Sequence, residues 1–186
     1  MTTIFLSGSR SISRLAKLVC ERLDKIIANE FAVIVGDANG ADKAIQRYLL
    51  AKRYRGVTVF HVGAHPRNNV GNWPTIPVDV APELRGWEYY ANKDKLMAKS
   101  ADYGMVLWDG ESAGSIHNVF EMVSRHKKVV VFFSPAKEFV NASETYDALE
   151  LLHRSPPNVA KTISNKIQLS KYIINRPSPT QEDFAF

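Results

Sequence analysis

The feature that most constrains the fold is a short apolar run, followed at once by a glycine-rich turn and a helical pattern. The run spans Met105 to Trp108. It is too short for a buried helix, so it predicts a buried strand. Residues 109–115 supply two glycines and two serines, and helical spacing continues from Ile116 to Arg125. Such a unit directs backbone N–H groups and a helix dipole towards an anion. A tight turn also needs glycines for steric reasons, so this stretch alone leaves phosphate binding open.

Two further units of this kind precede the first. One strand ends in Gly8-Ser9-Arg10, and a helical pattern follows from about Ile12 to Asn29, with Leu18, Val19 and Leu23 among the residues of its apolar face. Another strand ends in the turn from Gly36 to Asp42, and a helical pattern follows that turn as well. The predicted strands, in chain order, are residues 4–6, 31–35, 57–62, 105–108 and 128–133. Repeated strand–helix alternation is typical of a parallel sheet with helices on both faces. The sequence therefore predicts a Rossmann-like, doubly wound α/β fold with about five strands.

The order of these strands decides which turns meet. Right-handed crossovers leave few arrangements, and we expect the order 3-2-1-4-5, with the strands numbered along the chain. This order places the turn at Gly8 beside the turn of residues 109–115, where the strand order reverses. Open α/β sheets bind ligands at that point. The turn from Gly36 to Asp42 lies one strand further along the same edge.

Residues 63–86 interrupt the pattern. Pro66, Pro74, Pro77 and Pro82 exclude a helix there and argue against a strand. A structureless stretch of this length in a compact domain is typical of a functional loop or lid. Packing does not explain the polar run at residues 67–69, and closure over a ligand is one interpretation of it.

The C-terminal part of the chain differs in composition. Ser155 and the two prolines after it end a helix predicted for residues 143–153. We therefore divide the chain into a Rossmann-like domain, residues 1–153, and a basic helical extension with a tail, residues 154–186. The segment from Arg154 to Arg176 has no acidic residue. Its basic residues are Arg154, Lys161, Lys166, Lys171 and Arg176.

Composition bounds the class of protein. Of the 186 residues, 45% are hydrophobic and 23% are charged, which is ordinary for a soluble globular domain. No apolar run approaches the roughly 20 residues that cross a bilayer, and the N-terminus leads directly into a strand. Cys20 is the only cysteine, which fits a reducing cytosol. We expect a cytoplasmic protein with no membrane partner, and its net charge of +5 suits anionic ligands.

Four motifs occur in a recognisable order. They are Gly8-Ser9-Arg10, the turn from Gly36 to Asp42, Lys93-Asp94 followed by Met97, and the stretch from Trp108 to Ser115. In order and spacing they resemble the SLOG superfamily, especially its YspA/cpYpsA-like branch, over roughly residues 3–133. The resemblance implies a nucleotide-type ligand held at the carboxyl ends of the strands. The superfamily includes LOG-type phosphoribohydrolases, which cleave the N-glycosidic bond of nucleoside monophosphates, and DNA-processing proteins that hold single-stranded DNA.

The chain departs from the LOG-type pattern in two places. Those enzymes carry Gly-Gly-x-Gly-Thr-x-x-Glu with a catalytic glutamate, and Asn118 occupies the glutamate position in this chain. Their Arg-Lys pair before the methionine is Lys93-Asp94 here. Because an amide does not ionise, the hydrolase mechanism does not transfer directly.

The candidate ligand-binding residues come from the four motifs. Arg10 directly follows a strand, where it has no core to join, and its planar fork suits a phosphate. Asp42 is either a helix-opening acid or a ligand contact, and Asp37 is either a ribose contact or a turn residue. Trp87 and residues 89–90 are candidates for stacking on a base. The ligand or phosphate candidates are Gly8, Ser9, Arg10, Gly36, Asp37, Gly40, Asp42, Lys93, Asp94, Gly110, Ser112, Gly114 and Ser115.

Asp109 and Glu121 are the candidate catalytic residues. Asp109 ends the central strand at the predicted switch point, where it is a candidate general base, ribose ligand or contact to a metal-bound water. Glu121 lies one helical turn beyond Asn118, so it either replaces the missing glutamate or pairs with Arg125 at i+4. The five histidines lack the spacing of metal ligands, and the sequence assigns neither a metal nor a cofactor.

Three functions are consistent with these residues. The first is binding of a nucleotide or a nucleotide-derived ligand. The second is hydrolysis or transfer at the N-glycosidic bond of a nucleotide, with Asp109 or Glu121 as the acid/base group. The third is binding of single-stranded nucleic acid through the basic segment of residues 154–176. We expect the first, with a nucleotide-type small molecule as partner and a homo-oligomer as the assembly.

Overall fold

A seven-stranded sheet organises the chain in a computed structural model that describes residues 1–81 and 83–173. Its strands are β1 (Thr3–Gly8), β2 (Ala32–Gly36), β3 (Val57–Val62), β4 (Thr75–Val78), β5 (Tyr103–Trp108), β6 (Val129–Phe133) and β7 (Glu138–Ala142). The helices are α1 (Lys17–Ala28), α2 (Ala41–Ala51), α3 (Gly86–Ser100), α4 (Ala113–Val123), α5 (Thr145–His153), α6 (Pro157–Ile167) and α7 (Ser170–Ile173). The strand order is β4-β3-β2-β1-β5-β6-β7.

The five inner strands confirm the predicted order. Strand β1 lies between β2 and β5 and is parallel to both, so that Leu6 faces Val35 on one side and Met105 on the other. Strand β3 continues the sheet beyond β2, and β6 continues it beyond β5. The strand order therefore reverses between β1 and β5, as predicted, and the fold class is a Rossmann-like, doubly wound α/β sheet.

The two edge strands, β4 and β7, were not predicted from the sequence. The expectation that residues 63–86 lack regular structure is wrong, because β4 pairs in parallel with β3. Pro77 stands opposite His61 on this outer strand, where an edge tolerates a residue without an N–H. At the other edge, the chain turns back after β6 through residues 134–137, and β7 then runs antiparallel to β6. Only pairing with an existing edge turns these short, half-exposed segments into strands.

Both faces of the sheet are covered by helices. On one face, Ile4 and Leu6 of β1 share a core with residues of α1 and α2, such as Leu23 and Ile45. On the other face, Phe5 belongs to a core that takes in α3, α4, α5 and α6. Alternate residues of a central strand thus enter opposite cores, which is why three consecutive residues of β1, from Ile4 to Leu6, are apolar.

Helix α1 is shorter than its sequence pattern predicts. The pattern suggested a helix from Ile12 to Asn29, but residues 12–16 are not helical, and the helix begins at Lys17 after an extended Ala16. Leu18 was expected on the buried face and is 47% exposed. The buried residues Val19, Leu23 and Ile26 keep the i, i+4 and i+7 spacing of a single buried stripe.

The basic C-terminal segment packs onto the domain. Helix α6 begins at Pro157, a position that suits proline because the first N–H groups of a helix lack partners. Ile163 and Ile167 are buried in the same core as α4 and α5. The predicted tail at residues 176–186 lies outside the described residues. Within the described part of the chain, no helix is both long enough and apolar enough to cross a membrane.

A pair of glycine substitutions tests how tightly the first two turns pack. Gly40 has φ +81°, and a Cβ there would stand 2.2 Å from the carbonyl oxygen of Arg10. Gly86 also has positive φ, at +57°, but a Cβ there would meet nothing within 4 Å. We expect Gly86→Ala to lower the free energy of unfolding by about 1–2 kcal/mol, the cost of a left-handed backbone. Gly40→Ala should cost clearly more for two reasons: its ψ of −127° lies outside the left-handed helical region, and the backbone of the neighbouring turn must move. Urea unfolding of both variants measures the difference, and equal losses would contradict the close packing.

Candidate functional site

A cleft of about 770 Å³ opens at the carboxyl edge of the sheet. Its walls are the turns after β1, β2 and β5, one side of α3, the first turn of α4 and one side of α6. The ligand candidates that line it are Gly8, Arg10, Gly36, Asp42, Lys93, Asp94, Ser112, Gly114 and Ser115, and Asp109 lines it as well. The volume lies within the usual range for small-molecule sites.

Ser9 joins two of the turns without lining the cleft. It is fully buried, and its N–H donates to the carbonyl oxygen of Leu107 at 2.8 Å. Its hydroxyl lies 3.0 Å from that of Ser115 and accepts the N–H of Asp109 at 3.1 Å. Ser9 therefore holds the β1 turn against the start of α4.

Gly40 and Gly110 do not line the cleft and instead belong to the turns that form its wall. Gly40 packs against the backbone of Arg10, and the N–H of Ala41 donates to the carbonyl oxygen of Ser9 at 3.2 Å. The carbonyl oxygen of Gly110 accepts a hydrogen bond from the hydroxyl of Ser155, which ties the β5 turn to the C-terminal segment. Both glycines shape turns whose neighbouring residues line the cleft.

Asp109 organises the turn before α4. Its Oδ1 accepts the N–H groups of Glu111 at 3.0 Å and Ser112 at 2.8 Å, and its Oδ2 accepts the hydroxyl of Ser11. Burial alone would raise the pKa of Asp109, but these hydrogen bonds outweigh it and the pKa is lowered. Asp109 is therefore an ionised carboxylate with engaged lone pairs, an arrangement that suits turn formation better than proton abstraction.

The N-terminus of α4 presents unsatisfied donors to the cleft. No side chain caps it among the described residues, and the first intrahelical bond runs from the N–H of Ile116 to the carbonyl oxygen of Ser112. The N–H groups of residues 113–115 precede that bond, so they have no acceptor within the helix. With the helix dipole they form a positive region that suits an anion.

Gly114 leaves this helix end open. The backbone at this glycine does not have positive φ, and a Cβ would meet only Trp87 Cζ3 at 3.8 Å and Ser112 Oγ at 4.0 Å. Those are ordinary contact distances, so neither the turn nor the packing requires a glycine here. Glycine in a helix costs about 0.5–1 kcal/mol relative to alanine. The missing side chain instead gives a ligand access to the backbone.

Asn118 adds an unpaired polar group to the same region. It lines the cleft and is only 5% exposed, and its Nδ2 donates to the hydroxyl of Ser7 at 3.1 Å. Its Oδ1 is buried and has no hydrogen-bond partner among the described residues. A buried unsatisfied oxygen costs about 1–3 kcal/mol, so a turn of the amide that pairs Oδ1 with a ligand donor would be favoured.

Aromatic rings and arginines form the outer wall of the cleft. The guanidinium groups of Arg10 and Arg67 lie 5.6 Å and 4.6 Å from the ring centre of Tyr90. Trp87 stands across from the start of α4 and packs edge-on against His117, with the ring centroids 5.1 Å apart. These groups offer flat surfaces and positive charge to a planar, anionic ligand.

A buried ion cluster closes the other side of the cleft. Arg67 holds Asp37 through bonds of 2.9 Å and 2.6 Å, and Lys93 lies 3.7 Å from Asp37 and 3.3 Å from Asp94. Asp37 is fully buried, so the structure pairs it with Arg67 instead of exposing it to the cleft. Closure over a ligand was one interpretation of residues 67–69, and the structure shows that Arg67 pairs with Asp37.

The charges in the cluster shift its pKa values in different directions. Burial opposes ionisation of Asp37, but hydrogen bonds from Arg67 outweigh it and the pKa is lowered. Burial would lower the pKa of Lys93, but Asp94, Asp42 and Asp37 around it raise the pKa instead. Burial raises the pKa of Asp42 to about 6, against the opposing effect of Lys93. Asp42 and Lys93 both occupy space that Gly36 leaves free: a Cβ on Gly36 would stand 2.4 Å and 2.6 Å from them.

Glu121 lies away from the cleft. It lines a second cavity and accepts hydrogen bonds from Tyr172 and from Arg125, the latter at 2.6 Å. The i+4 pairing with Arg125 was one of its two predicted roles. Burial would raise the pKa of Glu121, but hydrogen bonds from His117 and Tyr172 and the charge of Arg125 lower it to about 2.

The wall formed by α6 was not anticipated. Asn158, Thr162 and Lys166 recur every four residues and line the cleft. Their spacing, beside the buried Ile163 and Ile167, is a signal that the sequence contained. It became informative only when α6 was placed over the cleft. In the described chain, no group of three or more His, Cys, Asp or Glu residues is arranged to hold a metal ion.

The pH dependence of stability tests the buried state of Asp42. Its pKa is raised from 3.8 to about 6, so the folded protein holds this proton more tightly than the unfolded chain. Ionised Asp42 destabilises the fold, and this cost is absent below about pH 4 and complete above about pH 6. Relative to Asp42→Asn, the parent should therefore lose about 3 kcal/mol of unfolding free energy between pH 4 and pH 7.

Asp147 provides a control, because its pKa is shifted in the opposite direction to that of Asp42. Hydrogen bonds from the Ser143 N–H and its neighbours lower the pKa of Asp147 at the start of α5. Its contribution to stability is present above the ordinary carboxyl pKa and is lost as the pH falls. Urea unfolding should thus show a difference between the parent and Asp147→Asn that is nearly constant from pH 4 to pH 7 and shrinks only below about pH 4, whereas the difference for Asp42→Asn changes between pH 4 and pH 7. A pH-independent difference between the parent and Asp42→Asn would contradict the raised pKa.

Comparisons with protein-family models, with curated proteins and with solved structures find no match for this chain. The resemblance to the SLOG superfamily therefore remains a prediction from four sequence motifs. What the cleft can bind follows from its own residues.

Proposed function

We propose that this protein binds a nucleotide or a nucleotide-derived ligand in the cleft at the carboxyl edge of the sheet. The ligand's phosphate group lies at the N-terminus of α4, between Gly114 and Arg10. Its ring lies towards Trp87 and Tyr90. Its hydroxyl or amino donors face the buried Asn118 and Asp42.

The open N-terminus of α4 carries this proposal. Its uncapped N–H groups lie at the switch point of the sheet, beside a glycine that neither the turn nor the packing requires. A helix N-terminus with a close backbone approach is a recurrent phosphate site. The unpaired Oδ1 of Asn118, buried in the same cleft, is an independent sign that a polar ligand completes the region.

Arg10 supplies the charge that a phosphate needs. It is exposed at the end of β1, lines the cleft and lies over the ring of Tyr90. A guanidinium can donate two parallel hydrogen bonds to a phosphate, each stronger than a neutral hydrogen bond. Lys166 of α6 lines the same cleft and adds a second cation.

Binding is favoured over the two alternative functions by the positions of the candidate groups. Asp109 is engaged by three donors, and Glu121 lines a different cavity, so neither presents a free carboxylate to a glycosidic bond. Of the basic segment, Arg154 pairs with Glu138, while Lys166 faces the cleft. At least these two basic side chains are thus engaged by other parts of the protein.

Two substitutions of Gly114 test the phosphate position. Gly114→Ala should raise the free energy of unfolding by about 0.5–1 kcal/mol, because alanine favours helix and the added Cβ meets only ordinary contacts. The same Cβ occupies the space of the anion, so AMP binding should weaken by about tenfold, or 1.4 kcal/mol. Gly114→Val should abolish binding. Calorimetric titration with AMP, and with adenosine as the ligand without phosphate, measures both effects.

Gly114→Ala is expected to raise stability and to weaken AMP binding, and this combination makes the test specific to the binding site. A variant that is more stable and binds less tightly cannot owe its loss of binding to misfolding. If Gly114→Ala and Gly114→Val bind AMP like the parent, the phosphate does not lie at the start of α4. Equal affinity of the parent for AMP and adenosine would also contradict a phosphate site.

Replacement of Arg10 tests the second phosphate contact. Arg10→Ala should weaken AMP binding by about 1–3 kcal/mol, the scale of a lost charge-assisted hydrogen bond, and leave adenosine binding unchanged. Arg14→Ala is the matched control, since Arg14 is an exposed arginine outside the cleft wall. An equal loss in both variants would indicate a general effect of charge, and no loss in Arg10→Ala would remove Arg10 from the site.

A further inference from the structure

A second cavity lies behind the cleft and shares a wall with it. Its volume is about 330 Å³, and residues of α3, α4, α6 and α7 line it. Trp87, Ala91 and Lys166 line both the cleft and this cavity. Trp87 is thus part of both linings, and the ammonium of Lys166 lies 5.3 Å from the centre of its ring.

The cavity carries more positive than negative charge. Lys95, Lys166 and Lys171 line it together with Glu88 and Glu121. Glu121 is already neutralised by Arg125, whose guanidinium lies 2.6 Å from its Oε2. Three lysines thus face one uncompensated carboxylate, an arrangement that attracts an anion.

The cavity also presents aromatic rings and an unpaired buried nitrogen. Trp87, His117 and Tyr172 line it, with ring centroids 5.1 Å apart for Trp87 and His117 and 6.2 Å apart for His117 and Tyr172. His117 is 3% exposed, and its Nε2 lies 3.4 Å from Glu121. Its Nδ1 is buried without a hydrogen-bond partner in the described chain. A buried nitrogen without a partner is a cost to folding, and a ligand donor would reach it only if the imidazole turned towards the cavity.

We propose that this cavity is a second ligand subsite, which takes a planar ring carrying an anionic group. The ring packs against Trp87 and Tyr172, and the anion meets Lys95 and Lys171. Such a group can be a separate small molecule or the far half of an extended ligand that passes Trp87 from the cleft. The subsite goes beyond the proposed cleft function, because Lys95, Lys171, His117 and Tyr172 line this cavity and not the cleft.

The test uses variants that spare the cleft. Lys95→Ala combined with Lys171→Ala removes two exposed lysines that line only the second cavity. Lys99→Ala combined with Lys161→Ala is the matched control, since both are exposed lysines outside the two cavity walls. Each protein is titrated by calorimetry with AMP and with diadenosine pyrophosphate, in which two AMP units are joined through their phosphates.

The two ligands distinguish the two sources of the anion. If the subsite holds the far half of one ligand, the parent binds diadenosine pyrophosphate about tenfold or more tighter than AMP, and the Lys95/Lys171 variant loses this advantage. If it holds a separate molecule, the parent binds two AMP per chain and the variant binds one. In both cases the Lys99/Lys161 control behaves like the parent, and AMP binding in the cleft changes less than twofold.

Other outcomes overturn one proposal without the other. If the Lys95/Lys171 variant matches the Lys99/Lys161 control with both ligands, there is no second subsite, whatever the cleft binds. AMP binding that survives Gly114→Val but falls in the Lys95/Lys171 variant supports the subsite and rejects the cleft function. A parent that binds neither ligand rejects both proposals.

Discussion

The parallel pairing of β1 with β5 is the interaction on which the site depends. It brings the turn after Gly8 beside the turn after Trp108, about a hundred residues away in the chain. Ser9 completes the contact, because its buried hydroxyl bonds both the backbone of Asp109 and the side chain of Ser115. Without this pairing the β1 turn would not stand beside α4, and neither turn alone forms the cleft.

The buried ion cluster is the second constraint. Lys93, Asp37 and Asp42 are buried and depend on one another for charge compensation, while Arg67 reaches Asp37 from the exposed side of the cluster. Removing one partner from such a cluster leaves a charge uncompensated. The cluster fixes residues 67–69 against the β2 turn, since Asn68 also bonds the carbonyl oxygen of Asp37. A segment predicted as a structureless loop is therefore tied to the sheet edge.

The C-terminal segment packs against the elements that form the cleft. Ser155 bonds the turn at Gly110, Ile163 packs into the core, and Tyr172 bonds Glu121. These three contacts place α6 over the cleft and α7 beside the second cavity. Lys166 and Trp87 line both spaces, and the ammonium of Lys166 lies 5.3 Å from the centre of the Trp87 ring.

The sequence alone determined the inner sheet, its strand order and the turns that meet at the switch point. Apolar runs, glycine-rich turns and helical spacing are local signals, and right-handed crossovers convert them into one topology. The edge strands β4 and β7, the pairing of Asp37 with Arg67, the position of Glu121 and the α6 wall were decided only by the tertiary structure. Each depends on contacts between residues far apart in the chain. Those contacts determine whether a segment that contains proline can form an edge strand. They also determine whether a carboxylate faces the cleft or a neighbouring cation.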